Sequence, residues 1–326
     1  IRDAQESRGL GDAYKRQALC FTFGSAVKNK KQGVAIFMAM FLCLVVALSC
    51  IAVTEQVGTP QLAQNGAVNM SMAEQAGGNM EGKETRFGIA GSSTWAAFTT
   101  AASNGSVNSM HDSYTPLGSM VTMLLMQLGE VVFGGVGCGL YGMLAFAILT
   151  VFIAGLMVGR TPEFLGHKVE AREMKIASIV ALLHPFIILV GTALAAYLFV
   201  HAPAFVESEG GWLNNPGYHG LSEMLYEYTS CAANNGSGFE GLGDNTWFWN
   251  YSCGIVLILG RFVPIVGQVA IAGILAKKKF IPESAGTLQT DTVTFGVMTF
   301  AVIFIVAALS FFPVHALSTI AEHLSL

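Results

Sequence analysis

Apolar positions in this chain fall in long blocks, not at the short period of a helix lying on a soluble core. Residues 33–53, 174–200 and 292–312 each run for about twenty positions or more with few or no charges, enough for a helix to cross roughly 30 Å of hydrocarbon. The run 248–276 is of the same kind and holds one charge, Arg261. The run 117–159 is about twice the length of a normal span, and is interrupted by Gly134, Gly135, Gly137, Gly139 and Gly142. Two shorter segments, 93–102 and 219–233, each stop at a polar glycine turn, over 103–108 and 234–239.

This order predicts an all-α integral membrane protein in which one unit occurs twice: helix, outer loop, short segment, glycine turn, helix. The first unit covers 34–159, with a pore loop at 93–108 and a broken second helix at 117–159. The second covers 175–276, with a pore loop at 219–239. A final transmembrane helix at 292–314 stands outside the repeat, and 315–326 is read as an outer tail. The turns match as Ser103-Asn104-Gly105-Ser106 against Asn235-Gly236-Ser237, and the step from Gly105 to Gly236 sets the register of the repeat.

Charge supplies the topology. Lys28, Lys30 and Lys31 in a basic segment at 18–33, Arg160, Lys168, Arg172 and Lys175 in and beside the loop 160–174, and Lys277, Lys278 and Lys279 in the loop 277–291 are cytoplasmic by the positive-inside rule. The opposite segments carry Glu55, Glu74, Glu81, Glu84, Glu207, Glu209 and Glu322. If 117–159 crossed twice, Arg160 and its neighbours would fall outside, so parity demands one net crossing by two helical pieces. Irregular backbone at membrane depth is tolerated only where protein buries it or it lines an aqueous path. The break over 133–140 is therefore a candidate gate. Both units begin and end inside, and such parallel repeats suit a pore axis along the membrane normal.

Composition agrees: 53% of residues are hydrophobic and only 12% charged, about half the charged share of a soluble domain. No basic run with interleaved aromatics supports nucleic-acid binding. The six cysteines form no CxxC pair, which argues against a disulfide or metal framework. Residues 1–17 are polar, begin without methionine and change character at Ala18; they read as a junction segment foreign to the fold, or else as a cytoplasmic linker helix.

The turns carry the candidate chemistry. A short helix entering from outside leaves its last carbonyls unpaired, and its C-terminal end is electrically negative. Asn-Gly-Ser can then aim backbone oxygens at an axis, because glycine reaches angles that side chains forbid. Such oxygens replace the water of a dehydrated potassium ion. Here they would come from Ser103, Asn104 and Gly105, and from Asn234, Asn235 and Gly236. One Asn-Gly-Ser alone is a tight turn or a glycosylation acceptor; its recurrence at equivalent places favours the filter.

The strings NMEGKETRFG (79–88), TTAASNGSVNSMHDSY (99–114), GEVVFGGVGCGLYGM (129–143), GLMVGRTPEFLG (155–166), AANNGSGFEGL (232–242) and GRFVPI (260–265) together resemble the A-chain family of bacterial potassium-transporting ATPases, KdpA. The resemblance runs from Ala18 to the C-terminus. It implies a potassium-channel-like fold of four joined units, of which only the third and fourth are present here. It also implies a potassium-selecting subunit of a high-affinity uptake complex in the bacterial inner membrane. Its partners would be a P-type ATPase subunit (KdpB), a C subunit (KdpC) and a small F subunit (KdpF). Potassium would be the transported substrate, with no cofactor in this chain. A stand-alone potassium channel or ion-coupled transporter subunit is the alternative, and a scaffold with degenerate pore loops a third reading. No P-loop and no phosphorylation string occurs, so no catalytic residue is assigned.

Glu130 follows Gly105 by the same interval at which Arg261 follows Gly236. Burying either alone in a span costs about 2.5 to 3.5 kcal/mol on the insertion scale, so they are expected to meet each other or water. The sharper reading is an ion pair below the filter, with Arg261 a barrier that turns potassium sideways toward the ATPase subunit; the other is helix packing. His111 and Asp112 read as a local cap or as ion ligands, and Glu223 and Glu227 as a cation-attracting pair or packing partners. His184-Pro185 reads as a kink, and Met120, Met123 and Met126 as adaptable core.

Overall fold

The computed structural model describes residues 17–59, 77–129, 131–134, 140–282 and 287–326. Residues 1–16, which contain most of the expected junction segment, lie outside them, as do Glu130, Gly135, Gly137 and Gly139. Within the described residues the fold is mostly helical. Five helices are long and apolar enough to cross a membrane: α1 (Lys30–Val57), α4 (Tyr141–Val158), α5 (Ala171–His201), α8 (Trp247–Ala276) and α9 (Val293–Leu317). The shorter helices are α2 (Gly88–Ala101), α3 (Pro116–Gln127), α6 (Pro203–Ser208), α7 (Tyr218–Ala232) and α10 (Thr319–Ser325). Strands β1 (Glu163–Phe164) and β2 (His167–Lys168) pair in a small antiparallel hairpin. Residues 17–26 are helical as well.

The long helices expose apolar side chains, among them Leu182, Phe186, Phe262, Val266, Phe304 and Leu309. In water such a surface would drive aggregation; in lipid it is the ordinary exterior, and the chain is a multi-pass membrane protein. Local chemistry sets the helix starts. The Thr115 hydroxyl accepts from Gly118 N–H at the head of α3, and the Thr246 hydroxyl from Trp249 N–H at the head of α8. These two caps keep the interval between the turn glycines.

Two of the buried apolar clusters each centre on one half of the chain. In one, α1 packs against α2 and α3 around Ile51, Ala97 and Phe133. In the other, α5, α7 and α8 close on Trp212, Tyr226, Tyr228 and Trp249. Met123 and Met126 are fully buried in the second core, as gap-filling side chains. The run 117–159 is made of two helices, α3 and α4, and Phe133 N–H in the intervening segment donates to the Ala101 carbonyl at 3.3 Å. His184 lies in the unbroken helix α5, its Nε2 3.1 Å from the Met126 carbonyl.

The expected outer tail at 315–326 is helical. His315 is buried, with Nε2 2.8 Å from Gln127 Oε1, so α9 continues to Leu317 before α10 turns back onto α3. A buried imidazole needs a polar partner, and Gln127 supplies it from the far end of α3.

A buried ion pair anchors the first half. Glu55, near the end of α1, lies 2.8 Å from Lys83 Nζ, and both side chains are fully buried. Glu55 also accepts from Asn79 Nδ2 at 2.9 Å, Thr115 N–H at 2.8 Å and the Thr115 hydroxyl at 2.7 Å. Lys83 stands 4.1 Å over the Tyr114 ring. One carboxylate thus holds the end of α1, the loop before α2 and the head of α3. Removing one partner strands a buried charge, so Glu55→Ala should cost about 3–5 kcal/mol. Adding Lys83→Met to it should recover most of that loss; thermal unfolding in detergent of the two variants checks both.

Candidate site at the paired turns

Helices α2 and α7 end in the same way. After α2, Ser103 adopts φ 48°, and after α7, Asn234 adopts φ 51°, both in the left-handed region. That twist lets the next N–H groups turn back onto carbonyls of the helix. Asn104 N–H donates to Thr99 O and Asn235 N–H to Ser230 O, each at 2.9 Å. The Asn104 side-chain oxygen accepts from Ser106 N–H, and that of Asn235 from Ser237 N–H, each at 2.8 Å. These Asx turns explain the asparagines. Behind them Trp95 Nε1 donates to the Ser106 carbonyl at 2.8 Å, and the Tyr226 and Ser237 hydroxyls are 2.7 Å apart. Trp95 and Tyr226 stand in the same register as the glycines.

The two turns touch. Asn235 Nδ2 donates to Asn104 O at 3.2 Å and to Thr99 O at 3.5 Å. Gly105 lies against the second turn so closely that a Cβ there would sit 2.6 Å from the Asn235 carbonyl oxygen. Gly236 is needed for another reason: its φ is 91°, while the space a Cβ would fill is open. Close approach therefore dictates glycine at 105, and backbone conformation dictates it at 236.

Arg261 reaches the second turn from α8, where its Nε donates to Asn234 Oδ1 at 3.3 Å. Asn234 Nδ2 in turn donates to the Leu257 carbonyl at 3.3 Å. The expected partner Glu130 lies outside the described residues, as do Gly135, Gly137 and Gly139 of the expected gate; Gly134, with φ 74°, is described.

His111 and Asp112 tie the two halves together through their side chains. His111 Nδ1 is 2.8 Å from the Tyr226 hydroxyl. Asp112 Oδ1 is 2.8 Å from His219 Nε2, and its Oδ2 accepts from Gly241 N–H at 3.0 Å. His219 Nδ1 meets Glu322 Oε1 at 2.7 Å. Burial pulls the His219 imidazolium down, but its hydrogen bonds to Asp112 and Glu322 outweigh that and raise the group to about 10. Burial, with Lys83 adding, lowers His111 to about 4, so that ring is neutral. Glu223 accepts from Asn215 Nδ2 at 2.9 Å, and burial pushes its carboxyl up to about 6. Glu227 accepts from the Cys231 thiol at 3.2 Å.

The sequence matches the family model described as the potassium-transporting ATPase A subunit, over residues 16–324. This chain belongs to the KdpA family. It is similar to the potassium-transporting ATPase potassium-binding subunit of Phocaeicola vulgatus, with 74% identity over 310 residues, 95% of this chain and 53% of that protein. The subunit of the same name from Bacteroides thetaiotaomicron is 64% identical, again over 95% of this chain and 53% of the relative. That of Clostridium perfringens is 61% identical, over 95% and 52%. The chain spans about half the length of the curated relatives it matches.

In this KdpA-family chain the turn asparagines and glycines were legible from their spacing. The groups that brace them, Thr99 with Ser230 and Trp95 with Tyr226, carry no motif of their own. Carrying the register of the glycines upstream would have found them. The clasp through His219 and Glu322 joins elements 103 residues apart and left no local signal. It does set a pH dependence. The folded pKa of His219, about 10, exceeds its ordinary 6.5, so its contribution to stability is fully present below about pH 6.5 and fades as pH rises through about 10. The difference in Tm between the wild type and His219→Gln should be largest near pH 6 and close toward pH 10, read by thermal unfolding across that range.

Proposed function

We propose that this chain supplies two channel-like units of a potassium-binding subunit, each built as helix, re-entrant half-helix with its turn, and second helix. The observation that carries the reading is the contact between turns of the same hydrogen-bonded design, with the Asn235 side chain bonded to the Asn104 carbonyl. Each turn follows the negative end of a short helix, where a cation is favoured. The backbone oxygens of Ser103, Asn104, Gly105, Asn234, Asn235 and Gly236 then substitute for a cation's hydration shell. Two further units, from the part of the relatives' length beyond this chain, complete the ring. In the inner membrane the ion then passes to a P-type ATPase subunit (KdpB), accompanied by KdpC and KdpF, and that subunit hydrolyses ATP.

In this reading Arg261 has a second task. Its Nε is bonded to Asn234 in the second turn; with α8 running inward from that turn, as the charge pattern implies, a fixed positive charge below the turn would oppose a potassium ion moving straight on. The glycine-rich break between α3 and α4 is the corresponding gate in the first unit, and Glu130 the charge equivalent to Arg261.

Two measurements on the full complex test this. Gly105→Asp and Gly236→Asp should each weaken apparent potassium affinity at least about tenfold, a loss of ~1.4 kcal/mol, and narrow discrimination between rubidium and sodium. Unaltered affinity and selectivity would end the filter assignment. Arg261→Gln should lower the number of potassium ions moved per ATP hydrolysed; unchanged coupling rejects the barrier.

A further inference from the structure

Behind the second turn lie three side chains that the potassium reading does not use. Glu227 and Cys231 are one helical turn apart on α7 and share a face. Cys253 approaches from α8. Both thiols point to the same carboxylate oxygen: Cys231 Sγ is 3.2 Å and Cys253 Sγ 3.7 Å from Glu227 Oε1. The three ligand atoms lie within 4.8 Å of one another. Each cysteine is partly buried.

That spacing is close to what one metal ion requires. With metal–sulfur bonds of about 2.3 Å and metal–oxygen bonds of about 2.0–2.2 Å, two thiolates on a tetrahedral ion stand roughly 3.8 Å apart. The donor set also selects the ion: thiolates bind soft divalent cations, while potassium and magnesium prefer oxygen alone.

We propose that Glu227, Cys231 and Cys253 form a binding site for a soft divalent cation of the zinc and cadmium class, with its fourth position open to water. On binding, the two thiols release two protons to solvent, two metal–sulfur bonds and one metal–oxygen bond form, and no oxidant or reductant is needed. The site is coupled to the turn. Asn234 N–H and Asn234 Nδ2 both donate to the Cys231 carbonyl, at 3.0 Å and 3.4 Å. An ion that pins Cys231 to α8 therefore stiffens the last turn of α7 at the point where Asn234 and Arg261 meet, and slows potassium passage. This last consequence rests on the proposed function; the metal site itself does not.

The test uses the purified full complex, free of thiol reductant, titrated with cadmium chloride and followed by the ultraviolet charge-transfer band of cadmium thiolate. The wild type should saturate with one equivalent beyond that bound by Cys231→Ser/Cys253→Ser. Glu227→Gln should weaken binding about tenfold, and Cys43→Ser, in another core, should leave it unchanged. Each single serine variant should also lose the equivalent, so the reading does not depend on the folding of the double variant. A wild-type band that survives undiminished in the serine variants, or no band while both thiols still react with a maleimide, overturns the site. Cadmium bound at one equivalent without any slowing of potassium uptake overturns the coupling to the turn and leaves the filter assignment to its own test.

Discussion

The contact between the two turns is the constraint around which this fold is organised. A helix that stops inside a protein leaves its final carbonyls without intrahelical partners, and α2 and α7 both stop there. Each turn satisfies some of these carbonyls with its own N–H groups, through a residue in the left-handed region and an asparagine folded onto the serine two positions on. The Asn235 amide then bonds across to the Asn104 carbonyl. Because Gly105 lies in van der Waals contact with the second turn, neither turn can move far without the other. The two loops brace one another.

The scaffold outside the turns repeats the same design. In each half a carboxylate ahead of the short helix, Glu55 in the last turn of α1 and Glu209 directly after α6, accepts a backbone N–H at the head of the helix that follows the turn. Glu55 takes Thr115 N–H, and Glu209 takes Phe248 N–H at 3.1 Å. In each half an isolated bridge closes the loop around the short helix, Lys83 with Ser109 and Leu213 with Leu242. The second oxygen of the carboxylate is used differently. Glu55 is neutralised by buried Lys83, whereas Glu209 accepts from Trp212 Nε1 at 3.1 Å. The first half thus carries a buried ion pair, which is costly unless fully hydrogen-bonded, and the groups around Glu55 meet that requirement.

Much of this was legible in the sequence because it is written in local signals. Apolar runs of spanning length gave the long helices, and the recurring Asn-Gly-Ser located both turns. The interval between the turn glycines also separates the two helix caps and the two bracing aromatics. What could not be read was tertiary pairing between distant polar residues. Lys83, one basic residue in an acidic loop, is the partner of Glu55 near the end of a span. His111 and Asp112 sit beside the first turn, yet their partners Tyr226 and His219 lie on the second short helix. Residues 315–326 carry too little apolar periodicity to announce a helix, and it is His315 meeting Gln127 that draws the chain back.

The departures from symmetry are as informative as the symmetry. Ser103 and Asn234 share a backbone conformation, but only asparagine has a side chain long enough to accept from a guanidinium on the neighbouring helix while donating to a helical carbonyl. Arg261 and Leu257 use both functions. The second turn is thereby tied to α8 by the Arg261 guanidinium, while in the first half the end of α2, at the Ala101 carbonyl, accepts Phe133 N–H from the segment between α3 and α4.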